Sequence, residues 1–192
     1  MSNRAHQLTQ NPPVAANADV HLLPDWLVGA LRSDHAGETG AVMIYRGILA
    51  GSRNKQVREF AQSHLATEQA HLELMEVLVA DTDRTRLLPV WRLLGWLTGF
   101  IPALFGPKAV FSTVQSVEEF VDIHYGEQVA RLSPKGPYAD LRALMAKCRS
   151  DEIDHRDEAA ALAGLGRSIP LRIWCTVVGL GSRLAVAVAR RF

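Results

Sequence analysis

Acidic residues are missing from two stretches of this 192-residue chain: none falls between Asp83 and Glu118, and none after Glu158. The same stretches carry Arg84, Arg86, Arg92, Lys108, Arg167, Arg172, Arg183, Arg190 and Arg191. Over the whole chain 21 Lys plus Arg meet 20 Asp plus Glu, a balance that gives no electrostatic case for nucleic acid. Cysteine is also scarce. Cys148 and Cys175 cannot build a disulfide framework and form no Cys-x-x-Cys pair, which fits a reducing compartment and small core or interface residues. No G-x-G-x-x-G follows a strand-like run, so a nicotinamide reductant such as NADH would bind without that fingerprint. The opening MSNRAHQLTQNPPVAANADV has no apolar run of the secretory kind. It reads as a polar, disordered tail over residues 1–21, with a single folded domain over 22–192.

Period-two alternation is nearly absent as well, whereas Ala, Leu, Arg, Glu and Gln recur at three-and-four spacing, so the chain is expected to be all-α. A first helix should start at Asp25 as N-cap and run to about Ala50, stopped by Gly51-Ser52-Arg53-Asn54. The pattern predicts further helices from about Gln56 to Val79, Lys108 to Leu132 and Tyr138 to Ala163, the last two separated by Ser133-Pro134-Lys135-Gly136-Pro137. An apolar crossover, Leu87 to Gly106, lies between the second and third. Its charge-free part, Leu93 to Pro107, is shorter than the roughly 20 residues that span a bilayer and is interrupted by Gly95, Gly99 and Pro102. The final segment, Ile169 to Phe192, is long enough, but Arg172 and Arg183 fall on one face about three turns apart, as in an amphipathic helix lying in an interface. Residues 87–111 and 169–192 are therefore the expected membrane-facing parts.

Glu68-Gln69-Ala70-His71 and Glu152-Ile153-Asp154-His155 each put a carboxylate and an imidazole on one helix face. Composition alone predicts about 0.4 such matches, so two could be chance. Two further glutamates strengthen the pattern: Glu38 stands 30 residues before Glu68, and Glu118 stands 34 before Glu152, each pair spanning a turn near its midpoint. Fourteen residues, about 21 Å of helix, separate Glu38 from its turn, and nearly as many lead back to Glu68. The second hairpin repeats the arithmetic. Four carboxylates and two imidazoles would thus meet at one level of a four-helix bundle. Burying such a group without cations would cost several kcal/mol per charge, roughly. Two divalent ions neutralise it, and the mixed oxygen and nitrogen donors suit iron or manganese better than zinc or calcium. Glu plus Glu-x-x-His, twice over, is the donor pattern of di-iron carboxylate bundles.

The same residues carry a family resemblance: Asp34-His35-Ala36-Gly37-Glu38-Thr39-Gly40-Ala41, then Glu68-x-x-His71, Val117-Glu118-Glu119 with His124-Tyr125, and Asp151-Glu152-x-x-His155. From about Leu31 onward the chain resembles the demethoxyubiquinone hydroxylases of ubiquinone biosynthesis. The resemblance implies a ferritin-like di-iron monooxygenase that uses oxygen to hydroxylate the ring of a polyprenylated quinone or quinol. It implies Glu38, Glu68, His71, Glu118, Glu152 and His155 as iron ligands, with Glu68 and Glu152 as bridges. It also implies His124 and Tyr125 as candidate catalytic residues. Thr39 stands where family members often carry a bulkier residue, and the crossover after Arg86 matches less well.

Around this set, Tyr45 and Tyr125, each seven residues after a ligand, line either a substrate channel or the core. Asp151, four before His155, is placed to hold that imidazole. His35 and His64 could touch the site's edge but are read as structural. Trp91, Trp96 and Trp174 look like interfacial anchors. The expected setting is the cytoplasmic face of a bacterial inner membrane, in peripheral contact with anionic lipid, with a homo-oligomer or a ubiquinone-biosynthesis accessory protein as candidate partners. Two rival functions share part of the pattern: a ferroxidase or iron-storage module, which has no use for the apolar crossover, and a metal-free membrane-associated helical scaffold with solvated acidic faces.

Overall fold

The computed structural model describes residues 23–192, so the expectation of a disordered tail over 1–21 lies outside the described residues. The helices are α1 (Asp25–Gly51), α2 (Lys55–Leu78), α3 (Leu88–Ala103), α4 (Pro107–Arg131), α5 (Ala139–Ala163) and α6 (Ile169–Ala189), with a 3-10 turn at Asp81–Asp83. No strand occurs among the described residues. Helix starts follow local chemistry. Asn54, expected to be part of a stop, is also the N-cap of α2, its side chain accepting from Val57 N at 3.1 Å. Asp25 is not the cap of α1. Pro24 takes that position with ψ 142, its carbonyl accepting from Leu27 and Val28, and Asp25 is the first helical residue, where its charge favours the helix N-terminus.

α1 pairs with α2, and α4 with α5, as two hairpins facing each other. Between them lie two apolar clusters. One gathers Ile44, Ile48, Phe60, Phe111 and Val114; the other gathers Leu27, Leu31, Met75, Met145 and Leu141. Glu38, at the middle of α1, falls between the two, and that is where the polar residues of the bundle meet.

α3 and α6 are added to this frame. α3 packs most extensively on α1, and α6 lies along α4. Gly95 and Gly99 do not interrupt the crossover as expected; both sit buried inside α3. Their role is close approach: a Cβ on Gly99 would stand 1.9 Å from Ile44 O, and one on Gly47 of α1 would stand 2.2 Å from Trp96 O. The two backbones touch where side chains would keep helix axes 8–10 Å apart or so. On the outside, α6 exposes Ile169, Ile173, Val177, Leu180 and Leu184, a stripe at helical spacing, while Cys175 and Val178 face α4 and the core.

Candidate metal centre

Glu38 comes from α1, Glu68 and His71 from α2, Glu118 from α4, and Glu152 and His155 from α5. None of the four glutamates is more than 4% exposed, which is incompatible with the solvated acidic faces of a scaffold. Their donor atoms converge in two sets, Glu38, Glu68, His71 and Glu152, and Glu68, Glu118, Glu152 and His155, with every atom of a set within 4.8 Å of the others. Glu68 and Glu152 belong to both sets, as two bridging carboxylates would.

Both imidazoles turn Nδ1 inward. His71 Nδ1 lies 3.0 Å from Glu152 Oε1 and 3.8 Å from Glu38 Oε2; His155 Nδ1 lies 3.0 Å from Glu68 Oε1 and 3.5 Å from Glu152 Oε2. These approaches lack hydrogen-bond alignment, and both Nδ1 atoms, both Glu68 oxygens and Glu152 Oε1 are buried without a hydrogen-bond partner. Five inward donor atoms left unsatisfied in a dry interior fit a pair of cations and little else. The electrostatics agree. Burial and the neighbouring carboxylates push Glu38 and Glu118 well above the usual carboxylate range. Burial opposes ionisation of Glu152 too, but His155 and His71 outweigh it and hold that carboxyl down to about 2. Burial likewise works against a charged His155, yet Glu152 and Glu68 push it up to about 11. Without cations, protons on the histidines and carboxyls carry the compensating charge.

The ligands have their own supports. Tyr45 on α1 donates to Glu118 Oε1 on α4 at 3.2 Å, and Tyr125 on α4 donates to Glu38 Oε1 on α1. Asp151 does not hold His155 as expected: its Oδ2 lies 3.2 Å from Nε2 of His71, on the facing helix, and Lys147 anchors the same carboxylate. Asp151 sits one residue, about 100° of rotation, from Glu152, which turns it toward α2 rather than along α5. His64 stacks on His155 at 4.0 Å between ring centroids and bonds Glu158 at 2.9 Å; burial and His155 pull its pKa down to about 4. His35 is buried outside both donor sets, its pKa lowered by burial and by Arg84.

His124 is not among the converging donors. Its Nε2 lies 2.7 Å from Asp34 Oδ1, and buried Gln128 and exposed Arg190 complete a network that sequence reasoning left unread. The available signal was Asp34 standing one turn before Glu38.

An apolar cavity of about 470 Å³ leads to the cluster. All four glutamates line it, its walls include Trp91, Gly95, Val121 and Val178, and it opens where Leu94 and Leu184 are 48% and 66% exposed. Two of the three half-buried tryptophans also have inward roles: Trp91 lines this cavity, and Trp174 donates to Thr113 Oγ1 at 2.9 Å.

The family model described as ubiquinone biosynthesis protein COQ7 matches residues 25–189. The chain belongs to this family. Among COQ7 relatives, a 3-demethoxyubiquinol 3-hydroxylase of Rhodospirillum rubrum is 36% identical over 165 residues, covering 84% of this chain and 76% of that protein. The NADPH-dependent 3-demethoxyubiquinone 3-hydroxylase of human mitochondria is 31% identical over 170 residues, with the same coverage of each chain. Its Caenorhabditis elegans counterpart is 28% identical over 166 residues, 84% of this chain and 88% of the relative. These relatives are hydroxylases of ubiquinone biosynthesis, which favours that reading of the COQ7 bundle over iron storage.

Proposed function

We propose that this COQ7-family chain is an oxygen-dependent di-iron monooxygenase that hydroxylates the ring of a polyprenylated demethoxyubiquinone or demethoxyubiquinol. One observation carries the reading: two donor sets sharing Glu68 and Glu152 lie at the inner end of an apolar cavity. Glu38, Glu68, His71 and Glu152 would hold one ion, and Glu68, Glu118, Glu152 and His155 the other. Bound there, a pair of iron ions would supply the redox chemistry that activates dioxygen for insertion into an aromatic C–H bond.

The chain's own residues do the rest. The cavity walls exclude water and bring the ring edge to the carboxylates. Tyr45 and Tyr125 orient Glu118 and Glu38, and burial and those carboxylates push both phenols well above their ordinary pKa, so they remain donors. Asp151 fixes the ring of His71. His124 and Tyr125 are the candidate catalytic residues, bordering the same cavity.

The substrate's isoprenoid tail requires a route from lipid. The cavity mouth lies between α3 and α6, whose outer faces expose Val90, Leu93 and Leu94 and the α6 stripe. Among the described residues α6 alone is long and apolar enough to cross a membrane, by length and composition only. It packs along α4 on its inner side, with Arg172 and Arg183 beside the apolar stripe, an arrangement that supports a helix lying on an anionic leaflet, and the cytoplasmic side is the proposed setting. NADH or NADPH, directly or through a reductase, is the proposed electron source, and a second copy or an accessory protein the proposed partner.

The test is to express the protein, measure iron per chain, and follow conversion of demethoxyubiquinone by mass spectrometry with a reductant present. About two irons per chain and a product heavier by one oxygen are expected. Iron-loaded protein that leaves the substrate unchanged removes the proposal.

A further inference from the structure

His64 stands one turn before Glu68 on α2, is 3% exposed, and belongs to neither donor set. Its ring is nevertheless fixed from every side. Phe60 and His155 each lie with ring centroids 4.0 Å from it, and since two rings at that range cannot share one face, the imidazole is wedged between them. The edges are tied as well. Nε2 lies 2.9 Å from Oε2 of Glu158 on α5, and Nδ1 lies 3.2 Å from the phenol oxygen of Tyr45, itself 3.2 Å from Glu118 Oε1. One side chain outside the donor sets thus touches α1 and α5 directly and reaches α4 through Tyr45.

The two sets are supported in different ways. In the first, Asp151 Oδ2 stands 3.2 Å from the outer nitrogen of His71, a carboxylate at the back of the ring. In the second, Glu68 and Glu152 both meet the inward Nδ1 of His155, and what is gripped from outside is the face of that ring, by His64. An imidazole free to turn about its Cβ–Cγ bond loses its aim at an ion. A nearly parallel ring packed on its face stops that rotation.

We infer that His64 is the positioning residue of the Glu118 and His155 metal position, holding the plane of the His155 imidazole by stacking and the Glu118 carboxylate through Tyr45. Glu158 anchors it from the surface. This rests on the di-iron reading proposed above. The two ions are then held by unlike supports, a carboxylate behind His71 and an aromatic wedge against His155, and each support can be removed separately.

Anaerobic loading with isotopically enriched iron(II), read by Mössbauer spectroscopy, tests this without turnover. His64→Leu should weaken iron(II) binding roughly 10–100-fold in competition with a chelator. At saturating iron, half of its absorption area should shift while the other half keeps the wild-type parameters. Asp151→Asn should shift the other half, and the double variant the whole. His64→Phe, which keeps a ring against His155 but loses both hydrogen bonds, should recover part of the lost affinity. A His64→Leu protein with wild-type affinity and spectrum overturns the inference, as does a shift of the whole spectrum by that variant alone, which general loosening of the bundle would give. Should it fail to fold, Glu158→Ala, whose side chain is 54% exposed, must move the same half as His64→Phe, and an unchanged spectrum is equally decisive. Wild type that takes up no iron sinks the di-iron reading; wild type that loads normally while His64 proves indifferent sinks this inference alone.

Discussion

Each tyrosine that follows a ligand by seven residues bonds the carboxylate of the opposite hairpin: Tyr45 reaches Glu118, and Tyr125 reaches Glu38. The spacing placed both on the right faces, but it could not say which helix lay opposite. Asp151 shows the same limit. Its position one turn before His155 was legible, while its partner, His71, depends on how α5 rotates against α2. Asp151→Asn should therefore weaken iron binding roughly 10–100-fold through His71, measured by competition with a chelator, with little change in helical content. Cys148 gives a second residue-level expectation. Burial pushes its thiol up to about 12 despite nearby His71, so almost no thiolate exists at pH 8. A maleimide at that pH should leave Cys148 unlabelled in folded protein and modify it only after denaturation, read by mass spectrometry.

Among the elements, the four ligand-bearing helices were readable because apolar periodicity and strong turn signals agree with one another. Predicted and observed ends differ by at most one residue, as for Gln56 against Lys55. α3 was harder. Gly95, Gly99 and Pro102 look like breaks in a sequence because glycine and proline usually punctuate helices, and nothing local says that a neighbouring backbone occupies the missing side-chain space. That space is the seam with α1. Gly99→Ala should push a methyl against Ile44 O and destabilise the fold by about 1–3 kcal/mol, seen as a lower denaturation midpoint. A surface change such as Arg92→Lys on the exposed face of the same helix should shift it by less than about 0.5 kcal/mol.

For the whole molecule, the level at which Glu38, Glu68, Glu118 and Glu152 meet followed from counting residues to each turn, since helix rise is fixed. The Asp34–His124–Arg190 network did not, because Arg190 comes from the far end of the chain and no short-range pattern ties it to α1. Stability should depend on the ions. Stripping metal removes a ligand that binds only the folded state, a loss of about 2.7 kcal/mol for a metal held at a hundredfold excess over Kd. The melting temperature should then fall by roughly 5–10 °C, and calorimetry before and after chelation measures it.

Because Glu68 and Glu152 serve both donor sets, the two positions are not independent vessels. An ion arriving at either one recruits oxygens that its neighbour also needs, settles their rotamers and cancels charge that would otherwise repel a second carboxylate. If two ions bind there, the shared carboxylates should couple their loading: the expected outcome is passage from empty to filled with little of the singly loaded species between, so that partial metal supply yields a mixture of complete and vacant chains.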